Sequence, residues 1–299
     1  MVEGEVLMRR CTMGMLLLVL PTFAAAAEAG DIVETRTLKE TIPLEGKEPV
    51  LLVVDNVFGP IHVKGHDKAQ VEMVAEETTE ARSKTAFDHA RQDVKLEVGH
   101  EGDEVTFVVD GPFRERGEDR FCNPKSLGYT VTYAFEIRVP RKTHLDVRTV
   151  NGGDIVVEDV LGDLRVSNVN GEIQLDGVGG GMVRATTVNG PVRAHFEKNP
   201  TEDSMFHTIN GDLELWLQPG FAAEMKFKTF NGEARTDFDV EPLPSDPAVS
   251  ETTDGGRRVF RAREWSRVRV GRGGPLFSFE TFNGDILIRN ARGGDSASR

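Results

Sequence analysis

Cysteine is nearly missing from this chain. Of the two present, Cys11 lies in an N-terminal segment read below as a leader, which leaves Cys122 alone. A fold stapled by internal disulfides is therefore excluded, and the lone thiol reads as a buried bystander. Aromatic residues are scarce at 7%, which suits tight bends better than thick helices. Positive charge is in the minority: the formal net charge is −13. A phosphate backbone repels such a surface, so general nucleic-acid binding is excluded. Beyond the leader no apolar run approaches the ~20 residues that span a bilayer, and no transmembrane segment is expected. Catalytic signatures are missing too. There is no G-x-S-x-G, P-loop or dinucleotide fingerprint. The seven histidines form no zinc signature, since His62 and His66, four apart around Gly65, lack a third ligand nearby. No cofactor is expected.

The leader itself is legible. Arg9 and Arg10 precede an apolar stretch at 13–23, and the alanines at 24–27 offer small-residue cleavage sites. Residues 1–29 thus read as a signal peptide, and the protein as exported, periplasmic or secreted.

What the chain has in quantity is glycine, 31 residues, and the dipeptide Asn-Gly at a regular period. It recurs at Asn151-Gly152, Asn170-Gly171, Asn189-Gly190, Asn210-Gly211, Asn231-Gly232 and Asn283-Gly284, at spacings of 19, 19, 21, 21 and 52. Thr-Val, Asn-Val, Thr-Ile or Thr-Phe precedes each copy. A fixed period near 20 marks a stacked β architecture. Asn-Gly is also a strong hairpin signal, but a two-residue hairpin would pair Val169 with Glu172, Ile209 with Asp212 and Phe282 with Asp285. Directly paired residues share a face, so apolar would meet polar each time. The alternative keeps the in-out alternation straight through the bend, with Val169, Gly171, Ile173 and Leu175 inward, and likewise Ile209 to Leu217 and Phe282 to Ile288. Glycine then stands on the inner side of the bend, where no Cβ would fit. A degenerate copy occurs at 57–63, and Gly153 adds one residue to the copy at Asn151. The expected fold is all-β: a β-solenoid, or single-stranded β-helix, of about seven coils and roughly 34 Å long at ~4.8 Å per coil.

Residues 30–140 form a less regular N-terminal β region, with one short helix over 79–94 carrying Ala86, Phe87, Ala90 and Val94 as its apolar stripe. The Asn-Gly repeats occupy 141–290. Residues 239–256, rich in Pro, Ser, Asp and Gly, read as an excursion loop, and 291–299 as a disordered tail.

The run from Val139 (V-P-R-K), then L-D-V-R-T-V-N-G-G-D-I-V-V, then repeated T-x-x-N-G-x-I-x-V units resembles the bacterial β-strand-repeat domain of unknown function labelled "putative adhesin". It is similar also to the head domains of autotransporter adhesins. The resemblance covers residues 33–290. It implies a β-solenoid-like domain outside the cytoplasm, and it brings no catalytic residues with it.

Three groups of side chains are candidates for binding. Asp154, Glu172, Asp212, Glu233 and Asp285 follow the corners and would stack as an acidic ladder, where a hard cation such as Ca²⁺ would relieve repulsion. The plainer reading is a solvated face relieved by Arg193 and Arg235. The six asparagines would form a second ladder that closes the corners. Arg257, Arg258, Arg261, Arg263, Arg267, Arg269 and Arg272 make a basic segment on an acidic protein, suited to an anionic partner or, more simply, to a strand pair with solvated arginines. The reading for function is an exported, non-enzymatic binding or scaffold protein, adhesin-like, of the bacterial envelope, whose partner is a protein, glycan or envelope component. Its alternatives are a carbohydrate-active β-helix enzyme, a lyase or hydrolase, and an envelope-stress signalling component.

Overall fold

The computed structural model describes residues 31–44, 49–114, 127–243, 250–254, 257–261 and 265–291. The expected leader at 1–29, Cys122, Arg263 and residues 292–299 of the expected tail lie outside the described residues. The chain is all-β with, among the described residues, one α-helix, Lys84–Asp93. That helix lies inside the expected span. Ser83 caps it by accepting from the Ala86 N–H, and Phe87 and Ala90 are its buried residues. Residues 79–81 belong instead to strand Gln70–Ala81.

The strands fall into two ladders. The first face holds the strands that precede the corners: Val50–Asp55, Thr143–Arg148, Leu161–Ser167, the C-terminal half of Ile173–Thr186, Ser204–His207, Leu276–Asn283 and Ala223–Asn231, each parallel to the next. The second face holds those that follow: Ile61–His66, Ile155–Glu158, the N-terminal half of Ile173–Thr186, Val192–Lys198, Leu213–Leu217, Ile286–Asn290 and Ala234–Thr236, again parallel throughout. Strand Ile173–Thr186 runs through a bend and belongs to both faces, so the ladders join into one nearly closed, barrel-like sheet. Successive repeats therefore do not pair as hairpins. Between the faces lies a single core. Leu145, Val147, Leu164, Val166, Phe206, Phe277 and Phe279 point in from the first face, and Ile155, Val157, Ile173, Leu175, Leu213, Leu215, Ile286 and Ile288 from the second, all buried.

The repeats stack out of sequence order. Strand Ile286–Asn290 lies between Leu213–Leu217 and Ala234–Thr236, and Leu276–Asn283 lies between Ser204–His207 and Ala223–Asn231. The last repeat is thus inserted beneath the fifth, which accounts for the 52-residue spacing. The segment between them includes Val240–Pro242 and Ser250–Asp254, strands within the stretch expected to be an excursion loop. These and their partners are antiparallel. The opposite end is finished in the same way, by Ile32–Pro43 on Gln70–Ala81 on Tyr129–Pro140 and by Lys95–Glu101 on Glu104–Asp110. Residues before 140 join the stack directly, since Val50–Asp55 pairs with Thr143–Arg148 and Ile61–His66 with Ile155–Glu158. The degenerate copy at 57–63 is the coil beside Asn151.

One expectation fails at the corners. The alternation does not run through them. In the fourth repeat Phe206 and Thr208 are buried, Ile209 is 39% exposed, and burial resumes at Leu213. The same flip exposes Phe230 at 50% and Phe282 at 49% and leaves Val169 half-buried. The cause is the residue two places before each Asn. Its polar end turns inward to donate to a glycine carbonyl one coil away: Thr149 to Gly59, Thr187 to Gly171, Thr208 to Gly190, Thr281 to Gly211 and Thr229 to Gly284, all at 2.9–3.0 Å. Asn168 does the same towards Gly153 at 3.0 Å. Glycine is needed at the corner because the neighbouring coil is close, not because the core is. A Cβ on Gly211 would stand 2.1 Å from the Gly190 carbonyl oxygen, and one on Gly190 would stand 2.2 Å from that of Gly171. In the first Asn-Gly copy the extra residue is absorbed at Gly152, whose φ is +79°, and Gly153 takes the crowded place.

Gly211→Ala is accordingly expected to destabilise the protein by about 3 kcal/mol or more, because a fixed backbone oxygen must move. Chemical denaturation checks this. A loss below about 1 kcal/mol would show that the coils can part without cost.

Candidate functional site

The corner edge is the most regular surface of the molecule. Asn170 donates its side-chain N–H to the Asn151 side-chain oxygen at 2.7 Å, Asn189 to Asn170 at 2.7 Å and Asn210 to Asn189 at 2.8 Å. The chain of amides then crosses to the inserted repeat. Asn283 donates to Asn210 at 2.7 Å, and Asn231 to Asn283 at 2.8 Å. Each amide both donates and accepts along the stack except at the ends, so six side chains make one continuous ribbon. Backbone bonds run beside it, such as Gly171 N–H to the Asn189 carbonyl and Asn189 N–H to the Val169 carbonyl.

Next to the amides stands a rank of apolar side chains: Val150, Val169, Val188, Ile209, Phe282 and Phe230, in the order of the stack. Phe230 and Phe282 stack with ring centroids 4.8 Å apart and planes 5° from parallel. An alternation carried straight through the bend would place Val169, Ile209 and Phe282 of this rank in the core. The invariably polar residue before each of these positions is the signal that could have shown it. A buried hydroxyl needs a partner, and the carbonyl of the adjacent corner is the nearest one.

The acidic column follows the corners as expected but in the order Asp154, Glu172, Pro191, Asp212, Asp285, Glu233. Each of its carboxylates has a partner within the protein. Asp154 accepts from the Glu172 backbone N–H at 2.7 Å, Asp212 from that of Asp285 at 2.8 Å, and Asp285 from that of Glu233 at 2.9 Å. Glu172 faces Pro191, which has no N–H to give, and binds Arg193 instead. Glu233 meets Arg235 at 2.7 Å. Among the described residues no group of three or more His, Cys, Asp or Glu is placed to hold a metal ion.

The basic segment forms two strands. Arg257, Arg258 and Arg261 lie on Arg257–Arg261, between Ala234–Thr236 and Ser250–Asp254. Arg267 and Arg269 point outward from Ser266–Val270, while Val268 and Val270 are buried. Both meet acids of neighbouring strands: Arg267 lies 2.9 Å from Glu224, and Arg269 lies 3.9 Å from Glu224 and from Glu241. Arg272 follows in an exposed turn.

A further cluster lies on the outer side of the second face, where the residue five places after each corner glycine stacks. These are Glu158, Asp176, His195, Trp216 and Arg289. The parallel register places them side by side at that constant offset. His195 stacks on Trp216 with centroids 4.0 Å apart and meets Asp176 at 2.9 Å. The Arg289 guanidinium lies 5.3 Å from the Trp216 ring. The indole is therefore sandwiched by its neighbours and offers no free face as a platform. The His195 hydrogen bond holds the Asp176 carboxyl below its ordinary range, against the opposing effect of burial. Further along, the Lys64 hydrogen bond does the same for Glu158, which His62 also approaches at 3.3 Å.

Asn189→Ala removes two ribbon bonds and Asn231→Ala one, so the first is expected to cost about 2 kcal/mol and the second about 1. Equal losses in denaturation would show that the amides act independently of the ribbon. A second expectation concerns acid. A depressed carboxyl contributes stability that is full above its ordinary value of 3.8 and lost as pH falls through the lowered folded value. The melting temperature of Asp176→Asn should lie below that of the unchanged protein at neutral pH, and the gap should close below pH 3.8. A gap that stays constant through this range would remove Asp176 from the acid response.

No family model and no curated protein matches the chain. Among solved structures it is similar to one described as a "putative cell adhesion protein" from Clostridium sporogenes ATCC 15579, with a TM-score of 0.45 and 11% identity over 86% of this chain and 100% of that one. It is also similar to a "putative adhesin" from Bacteroides fragilis NCTC 9343, with a TM-score of 0.25 and 8% identity over 85% of this chain and 96% of the other.

Proposed function

We propose that this chain is an exported, non-enzymatic binding or scaffold protein of adhesin-like type, wound as a β-solenoid whose corner edge is the contact surface. The observation that carries the reading is the outward rank from Val150 to Phe230, half-buried at Val150, Val169 and Val188 and exposed at Ile209, Phe282 and Phe230. Burying exposed apolar area is favourable at about 25 cal/mol per Å², and this rank repeats at strand spacing beside a ribbon of amides. A surface of that kind fits an extended, repetitive partner such as a glycan chain or another envelope polymer, which meets the same group at each step. In support, several charged groups of the described faces are matched to opposite charges of the protein itself. Arg193 binds Glu172 and Lys64 meets Glu158 at 2.8 Å, each one coil away, and Arg141 meets Glu197 at 2.6 Å. Charges used in this way hold coils together and are poorly placed to act on a substrate. The reading as a carbohydrate-active enzyme would need a carboxylate pair free for proton transfer.

The test is binding of the labelled full chain to immobilised glycans and isolated envelope polymers, beside the double variant Phe230→Ser/Phe282→Ser. Saturable binding that weakens about tenfold or more in the variant, with an unchanged melting temperature, is the expected result. Release of reducing ends or unsaturated sugars from any of these polymers would sink the non-enzymatic reading.

A further inference from the structure

Strand Ile32–Pro43 is the last of the second face at its N-terminal end. It pairs along its whole length with Gln70–Ala81, and among the described residues nothing pairs with its other edge. Its inward residues stand opposite buried ones: Arg36 faces Glu77, Leu38 faces Ala75, Glu40 faces Met73 and Ile42 faces Val71. Two groups in this row are left short of partners. Arg36 donates through Nη2 to Glu77 at 2.6 Å, and Glu77 also accepts from the Tyr133 hydroxyl at 2.6 Å. The Arg36 Nε, however, is buried with no acceptor among the described residues. Glu40 has the opposite shortage. Burial alone pushes its carboxyl above the ordinary range, and among the described residues no cation or donor reaches it.

We propose that two copies of this chain associate through this edge, antiparallel about a twofold axis at Leu38, so that Arg36 of each copy meets Glu40 of the other. Antiparallel neighbours directly opposite share a face, so a symmetric pairing must join residues of the same parity. Centred on Leu38, the inward row pairs Leu38 with Leu38 of the partner subunit, Arg36 with Glu40 of the partner subunit, and Glu34 with Ile42 of the partner subunit. The outward row pairs Thr37 with Lys39 of the partner subunit and Thr35 with Thr41 of the partner subunit. No like charges meet. The neighbouring centres all fail on charge. Thr37 as centre sets Glu34 against Glu40 twice, while Arg36, Lys39 or Glu40 as centre each sets a charge against itself. The axis at Leu38 also lies at the middle of the strand, so the full length is paired. Lys39 and Pro43, residue types that blunt free edges, fall opposite a threonine and at the strand end, where neither obstructs pairing. The partly exposed Arg36 side chain gives Glu40 of the partner subunit the cation it lacks, and the free backbone edge is closed with it.

The experiment uses the full chain with Cys11 and Cys122 replaced by Ser. Sedimentation equilibrium should show a dimer, and Glu40→Lys, which sets two cations together, should raise its dissociation constant about tenfold or more without shifting the melting temperature. Leu38→Cys should crosslink to itself under mild oxidation, since opposed Cβ atoms lie ~5 Å apart. Thr37→Cys and Lys39→Cys should crosslink only when mixed. A monomer at every concentration, or crosslinking of Thr37→Cys with itself as readily as Leu38→Cys, would overturn the proposal. The cysteine pattern remains decisive even if Glu40→Lys fails to fold.

Discussion

Stacking a coil on its neighbour requires that every polar group at the corner find a partner one strand spacing away, and this requirement governs the rest of the molecule. A bend exposes backbone N–H and C=O groups that regular strands would have paired, and burying them unpaired is costly. Here the corner answers with three parallel columns. The glycine carbonyl takes a hydroxyl or amide from the next coil, the asparagine side chain bridges to the next asparagine, and an aspartate receives the following N–H. The columns work only if the backbones approach closely, which is why a Cβ on Gly211 would collide with the Gly190 carbonyl. Glycine, asparagine and threonine are thus one device and not three preferences.

A device that repeats identically has no built-in end and no built-in order. The fifth and sixth repeats show the second consequence. Because every corner offers the same donors and acceptors, the coil of Asn283 can seat on Asn210 and leave the coil of Asn231 outside it without losing a bond. The first consequence is met by changing strand direction. Parallel stacking gives way to antiparallel strands at both ends, and these carry the less regular sequences: the N-terminal part and the Arg-rich segment. On that end Trp265 lies 4.8 Å from the Lys226 ammonium, and Arg267 meets Glu224, so the basic residues help seat the closing strand.

Much of this was legible in the sequence, and the failures have physical causes. The period of Asn-Gly, and the mismatch that hairpins would have forced on Ile209 and Asp212, correctly point to strands that pair in parallel. Val169, Ile209 and Phe282 lie on the side opposite to the one an unbroken alternation gives them, because the need of the preceding threonine or asparagine for a buried acceptor outranks their hydrophobicity. A hydroxyl with a carbonyl at 2.9 Å can hold an inward position against a phenyl ring that stacks on its own neighbour outside. The inserted order of the last repeat could not be read, since identical corners carry no address. The coil built from Val50–Asp55 and Ile61–His66 was only half visible, because Phe58 stands where asparagine stands elsewhere. There Asn56 takes the place of the threonine, donating to the Tyr133 carbonyl at 2.8 Å.

The acidic column shows how architecture decides chemistry. Five carboxylates at strand spacing on a chain of net charge −13 look, from sequence, like a site waiting for a cation. In the stack each aspartate of the column is already an acceptor for a backbone N–H, and each glutamate is turned to an arginine two residues or one coil away. The single break, Pro191, makes the logic visible. With no N–H to receive, Glu172 leaves the column and binds Arg193. One oxygen of each of these aspartates thus serves the stack by accepting a backbone N–H from the next strand. What points away from the stack at the corners is the apolar rank beside the amides.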